Sequence, residues 1–74
     1  EWTIEGVVDD RYAGEYAWAE ADRQYEAAPI QGDGGFTLHL SFADVTSETP
    51  VSVSTPAFSV TRPLGELVSG VVEG

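Results

Sequence analysis

Seventy-four residues, with thirteen Asp and Glu against three Arg and no Lys or Cys, carry a formal charge of −10. That length makes one domain of marginal size, and the missing cysteines exclude disulfide staples, thiolate metal sites and thiol catalysis. The sign of the charge excludes a nucleic-acid backbone as partner, while 42% hydrophobic residues, including two Trp, three Tyr and three Phe, exclude a disordered tail.

Glu1 to Asp10 reads as a first strand. Trp2, Ile4 and the Val7-Val8 pair supply aromatic and β-branched side chains, with Thr3 and Glu5 on the other face. Gly6 inside that run predicts a bulge or a close backbone approach, and Asp9-Asp10 marks the end.

Ala13 to Ala28 admits two readings. As a helix, Gly14, Ala17, Trp18, Ala21, Tyr25 and Ala28 gather on one arc, with Glu15, Asp22, Arg23 and Glu26 opposite and Pro29 as the stop. As a strand, Tyr16 and Trp18 share one face and the small Ala17, Ala19 and Ala21 the other. Alanine and glutamate propensity favours helix, but tertiary context overrides propensity in short segments, so both readings stand.

The clearest element is Phe36 to Phe42, where Phe36, Leu38, Leu40 and Phe42 alternate with Thr37, His39 and Ser41. That period of two marks a strand with one buried and one wet face. Gly32-Asp33-Gly34-Gly35 is the turn that launches it. Ala43 to Thr49 is a polar loop, after which Val51 and Val53 alternate with Ser52 and Ser54, and Phe58 and Val60 continue the pattern beyond Thr55-Pro56. Pro56 lacks a donor, which places this region at a sheet edge or corner. Residues 1–63 form the β-rich domain. Residues 64–74 are a separate apolar segment, carrying Leu64, Leu67, Val68, Val71 and Val72, that reads as a last strand or an assembly tail. No apolar run approaches the ~18 residues of a membrane span, and a start at Glu1 rather than Met points to a processed product or an excised segment.

Three readings of the acidity compete. A hydrated surface suits a salt-rich setting, where screening shortens self-repulsion, and the lysine-free composition resembles proteins of salt-loving archaea and their viruses. Alternatively, the surface matches a basic partner or mimics a nucleic-acid backbone, with Glu15, Asp22 and Glu26 on one helical stripe. The third reading is a secreted or phage protein of a high-GC bacterium whose codon bias removed lysine.

Ile4-Glu5-Gly6-Val7-Val8-Asp9 resembles the opening strand of carboxypeptidase regulatory-like domains, which share a prealbumin-type β-sandwich. Asp33-Gly34-Gly35-Phe36 is similar to the turn entering that family's third strand, and Val51 to Phe58 resembles its later strand. The chain departs from the family's pattern in the alanine-rich 13–28 segment and in Ala57-Phe58, where the family has Gly-Tyr. The resemblance implies a non-catalytic accessory or surface module and transfers no site residue.

The residues that chemistry would need are sparse. His39 is the single imidazole and falls on the wet face of its strand, without a nucleophile elbow nearby. Asp9, Asp10, Asp33 and Asp44 lack the spaced ladder of a calcium loop, and Asp33-Gly34 is explained by turn geometry. Gly32, Gly34 and Gly35 are not a phosphate loop, since Asp33 repels phosphate and no lysine follows. The expectation is therefore no catalytic, cofactor or metal residues.

Candidate contact residues are Trp18 with Arg23, Tyr12 with Arg11, and Leu64, Leu67 and Val71 of the apolar segment. The sequence thus predicts a mainly β protein, a small immunoglobulin-like or prealbumin-like sandwich, with a β-α-β-β-β arrangement carrying a helix at 13–28 as the alternative. Its predicted role is a non-catalytic structural module, a repeated or decorating subunit of an extracellular or virion assembly from a high-salt source. Its partners would be copies of itself or other subunits, with no nucleic acid and no membrane insertion. The alternative is a soluble acidic inhibitor that mimics nucleic acid and blocks a basic groove.

Overall fold

Two antiparallel hairpins and a three-stranded sheet close over one apolar interior in a computed structural model, which describes residues 1–73. The elements in chain order are β1 (Trp2–Val7), a 3-10 turn (Asp10–Tyr12), β2 (Tyr16–Ala21), β3 (Gln24–Pro29) and β4 (Gly35–Leu40). They are followed by β5 (Pro50–Ser54), β6 (Ser59–Pro63), a short helix α1 (Leu64–Val68) and β7 (Val71–Glu73). One sheet has the order β4-β1-β7 and the other β3-β2-β5-β6. The chain is a small β-sandwich.

Alternation fixes which side chains fill the interior. In the three-stranded sheet Ile4 lies opposite Leu38, and Gly6 opposite Phe36. Ile4, Phe36, Leu38 and Leu40 are buried, as the period of two in both segments requires. Gly6 serves a close approach rather than a bulge, because a Cβ there would strike the Phe36 ring. At Gly34, with φ of +87°, a Cβ would collide with the carbonyl oxygen of Val8, so this turn position admits only glycine.

Residues 13–28 settle as a hairpin, not a helix. β2 and β3 pair from Tyr16↔Pro29 to Ala21↔Gln24, joined by Asp22 and Arg23 at φ of 48° and 63°. Positive φ at both central residues of a two-residue loop is the type I′ geometry that matches strand twist. Ala17, Ala19 and Ala21 face the interior and are buried. Their small volume is what the site requires, because β4 sends Phe36, Leu38 and Leu40 across from the opposite layer. Packing in a mixed large-and-small core thus overrides alanine's helix propensity. The helical arc and the stripe of Glu15, Asp22 and Glu26 do not form: Glu15 precedes β2, Asp22 sits in the turn and Glu26 lies on the inner side of β3, opposite Ala19. Gln24 ties the hairpin to the loop after β4. Its Nε2 donates to the Ala43 carbonyl at 2.9 Å, and its Oε1 accepts from the Ala43 N–H at 2.8 Å.

The segment after residue 63 is part of the core. Leu64 and Leu67 are fully or almost fully buried at helical spacing on α1, and β7 adds to β1 in parallel, Glu5↔Val71 to Val7↔Glu73. The exposed edges carry devices that discourage further strand pairing: Glu26 on the inner side of β3, Arg62 on the inner side of β6 opposite Val51, Pro63 at the end of β6, and a β7 of three residues. Among the described residues, no helix is long and apolar enough to cross a membrane.

Candidate functional site

The hairpin that buries three alanines must send their alternating neighbours to the outer face of the four-stranded sheet. Tyr16, Trp18 and Glu20 of β2 lie there, next to Pro29, Ala27 and Tyr25 of β3. On the other flank, Trp18 is opposite Ser54 and Glu20 is opposite Ser52, and these serines in turn face Ser59 and Thr61 of β6. The face therefore has an aromatic half and a hydroxyl half.

Tyr16 and Trp18 have short cross-strand neighbours, Pro29, Ala27 and Ser54, while Tyr25, opposite Glu20, lies on the edge strand β3. Tyr16 is 58% exposed, Trp18 40% and Tyr25 66%. Tyr16 and Trp18 are two residues apart on one strand, hence about 7 Å along the sheet. Tyr25 lies diagonally from Trp18 on β3, within reach of its ring. The hydroxyls pair with one another, each pair sharing one hydrogen bond. Ser52 Oγ lies 2.9 Å from Thr61 Oγ1, and Ser54 Oγ lies 3.0 Å from Ser59 Oγ. Such pairs are the cross-strand contacts that stabilise a sheet surface.

Charge is segregated from this surface. Among its paired strand positions Glu20 is the single carboxylate and none is a cation, in a chain of net charge −10. Arg23 stands at the rim, in the turn between β2 and β3.

The other candidate residues are dispersed. Tyr12 is half-buried in the 3-10 turn. The Arg11 guanidinium donates to its hydroxyl at 2.9 Å and lies 4.8 Å from its ring centroid, so the two residues satisfy each other locally. Leu64 and Leu67 are core residues and present no surface to a partner, a correction that follows from their i, i+3 spacing on a helix packed against β1. Val71 is 61% exposed on β7. It borders an open hollow of about 240 Å³ between β6, α1 and β7, whose polar lining is Arg62, Glu66 and Glu73. Those groups include no hydroxyl and no imidazole.

His39 is exposed on the outer face of the three-stranded sheet, opposite Thr3. Asp33 Oδ1 accepts from the Gly35 N–H and Asp9 Oδ1 from the Arg11 N–H, both at 2.9 Å, so each carboxylate closes its own turn. Among the described residues no cluster of three or more His, Asp or Glu is placed to hold a metal ion, and no buried side-chain polar atom lacks a partner.

Of the residues singled out from the sequence, Trp18 is the one around which a surface assembles; Arg23 lies in the turn at the end of the hairpin, about 13 Å or more along the strand from it. Tyr16, Tyr25 and the paired hydroxyls complete the surface, and the signal that could have found the tyrosines is the strand reading of Tyr16 to Ala21. No family model, curated protein or solved structure matches the chain.

Proposed function

We propose that this chain is a non-catalytic interaction module, a repeated or decorating subunit of an extracellular or virion assembly suited to high salt, and that it makes its principal contact through the outer face of the β3-β2-β5-β6 sheet. One observation carries the reading: Tyr16, Trp18 and Tyr25 stand exposed on a face from which an otherwise acidic protein has withdrawn nearly all charge. Interface cores are set apart from ordinary surface by enrichment in Tyr and Trp and depletion of Asp, Glu and Lys. Leaving a large ring in water forgoes on the order of 1.5–3 kcal/mol of burial. In a domain of this size that is a substantial fraction of the total stability. The carboxylates elsewhere would keep the remaining surface hydrated while salt screens their mutual repulsion. The resemblance of Ile4 to Asp9 and of Asp33 to Phe36 to accessory sandwich domains supports the same class of role.

The test is photo-cross-linking in the cells or particles that make the protein. A benzophenone amino acid replacing Trp18 is expected to yield a discrete covalent adduct. The same group replacing His39, on the outer face of the other sheet, is expected to yield none. No adduct from position 18, or equal yields from both positions, would overturn the proposal.

A further inference from the structure

We infer that the occupant of this face is a second copy of the same chain, packed sheet to sheet about a twofold axis that runs along the strands between β2 and β5. The inference rests on the interaction reading above and names its partner. Three observations favour a copy over other occupants.

The first is shape. A twofold axis in the plane between the sheets and parallel to the strands lays the aromatic half of each copy, β3 and β2, over the hydroxyl half of the other, β5 and β6. The strand register then lays Trp18 over Ser54 and Tyr25 over Thr61, the large-on-small match that already fills the interior, with Tyr16 beyond the end of β5 and Glu20 over Ser52 beside the axis as the one carboxylate the pairing must cover. One face supplies both the knobs and the floor.

The second is the state of the hydroxyls. Each is paired across its own sheet, at 2.9 Å for Ser52 with Thr61 and 3.0 Å for Ser54 with Ser59. Each pair satisfies one of its two O–H donors, which halves the number of hydroxyl donors that lose water when the face is covered. The rows therefore cost less to cover than four unpaired hydroxyls would.

The third is charge and area. A basic partner would be matched by carboxylates, and the paired positions of this face hold only Glu20. Overall dimensions of 34 × 19 × 18 Å bound the face at 34 × 19 Å. A flat rectangle of that size covers roughly 650 Å² per copy and 1,300 Å² for the pair, at the lower end of specific interfaces. The pairing is therefore weak, and it must bring together two bodies of charge −10 each. Screening decides the balance, since the Debye length falls from about 10 Å at 0.1 M salt to about 3 Å at 1 M. The dimer is a high-salt species.

Sedimentation equilibrium of the purified chain across that salt range tests the pairing. The dissociation constant is expected to fall on the order of tenfold or more between about 0.1 and 1 M salt. Trp18→Ser should weaken the dimer by roughly tenfold or more, as loss of a central aromatic does. Ser54→Lys, which sets a long charged chain under the partner's rings, should abolish it while the circular dichroism stays unchanged. Val71→Ser, exposed but off the face, should have no effect. A chain that stays monomeric throughout, or whose dimer ignores both Trp18→Ser and Ser54→Lys, overturns the inference. The cross-linked adduct from position 18 separates the two proposals. An adduct of twice the chain's mass supports the pairing, a discrete adduct of another mass overturns it and leaves the interaction module standing, and no adduct overturns both.

Discussion

Replacing Gly6 by alanine should destabilise the sandwich through a single contact. A Cβ at position 6 would lie 2.8 Å from Phe36 Cε1 and closer still to Cζ and Cε2, inside the van der Waals surface of the ring. Phe36 is buried among the large core side chains and has little room to tilt away. Overpacking of this kind costs about 1–3 kcal/mol. Against it stands a gain of about 0.5–1 kcal/mol, because alanine restricts the unfolded chain more than glycine does. The net loss is on the order of 1–2 kcal/mol, or roughly 5–15 °C in Tm for a domain of this length. Phe36→Leu alone should cost about 1 kcal/mol by opening a small void. Combined with Gly6→Ala it should cost less than the sum, with a coupling of about 1 kcal/mol, since the shorter side chain vacates the space the methyl needs. Urea unfolding followed by tryptophan fluorescence supplies all four free energies, provided the m-value holds constant across the set. Strict additivity, or a Gly6→Ala variant more stable than the parent by about 0.5–1 kcal/mol, would refute the close-approach account and leave chain entropy as the sole effect of this glycine.

Two further substitutions probe the hairpin that builds the candidate surface. Asp22→Asn with Arg23→Gly puts residues that favour positive φ at both turn positions, and should raise Tm by roughly 5–10 °C in a thermal melt by relieving about 1 kcal/mol or more of backbone strain. Gln24→Ala removes both hydrogen bonds to the Ala43 backbone and should cost about 0.5–1.5 kcal/mol. Its signature is faster amide exchange at Ala43 with exchange at Leu38 little changed.

How much of this was legible in the sequence depended on whether a segment's partner is local. Phe36 to Leu40 and Val51 to Val53 carry their burial in their own alternation, and the structure buries those residues. Ala13 to Ala28 does not, because alanine suits a helix and the turn Asp22-Arg23 lacks the Asn-Gly or Asp-Gly signature of a two-residue hairpin. What decides it is the size of Phe36, Leu38 and Leu40 in the facing layer, which no window around Ala17 contains. The last residues were opaque for the same reason: Leu64 and Leu67 find their cover on β1, some sixty residues earlier in the chain. Of the candidate surface, Trp18 was legible as an aromatic near Arg23. The rows of Ser52, Ser54, Ser59 and Thr61 became a feature only with the strand register, since serine and threonine at those positions are otherwise ordinary strand neighbours.

The same register explains why the rings cannot retreat. Slipping β2 by one residue would turn Tyr16, Trp18 and Glu20 inward and Ala17, Ala19 and Ala21 outward. Two rings would then occupy space sized for alanine methyls against Phe36, Leu38 and Leu40, and a carboxylate would be buried without a cation on the paired strand positions beside it. Overpacking alone costs about 1–3 kcal/mol at each such position, and an unpaired buried charge costs several more. Together these exceed what burying the rings could return, about 1.5–3 kcal/mol apiece. Core volume therefore locks the aromatics outside. A monomer has no way to cover them by rearranging itself, so whatever burial they gain has to come from a surface that the folded chain meets after it has folded.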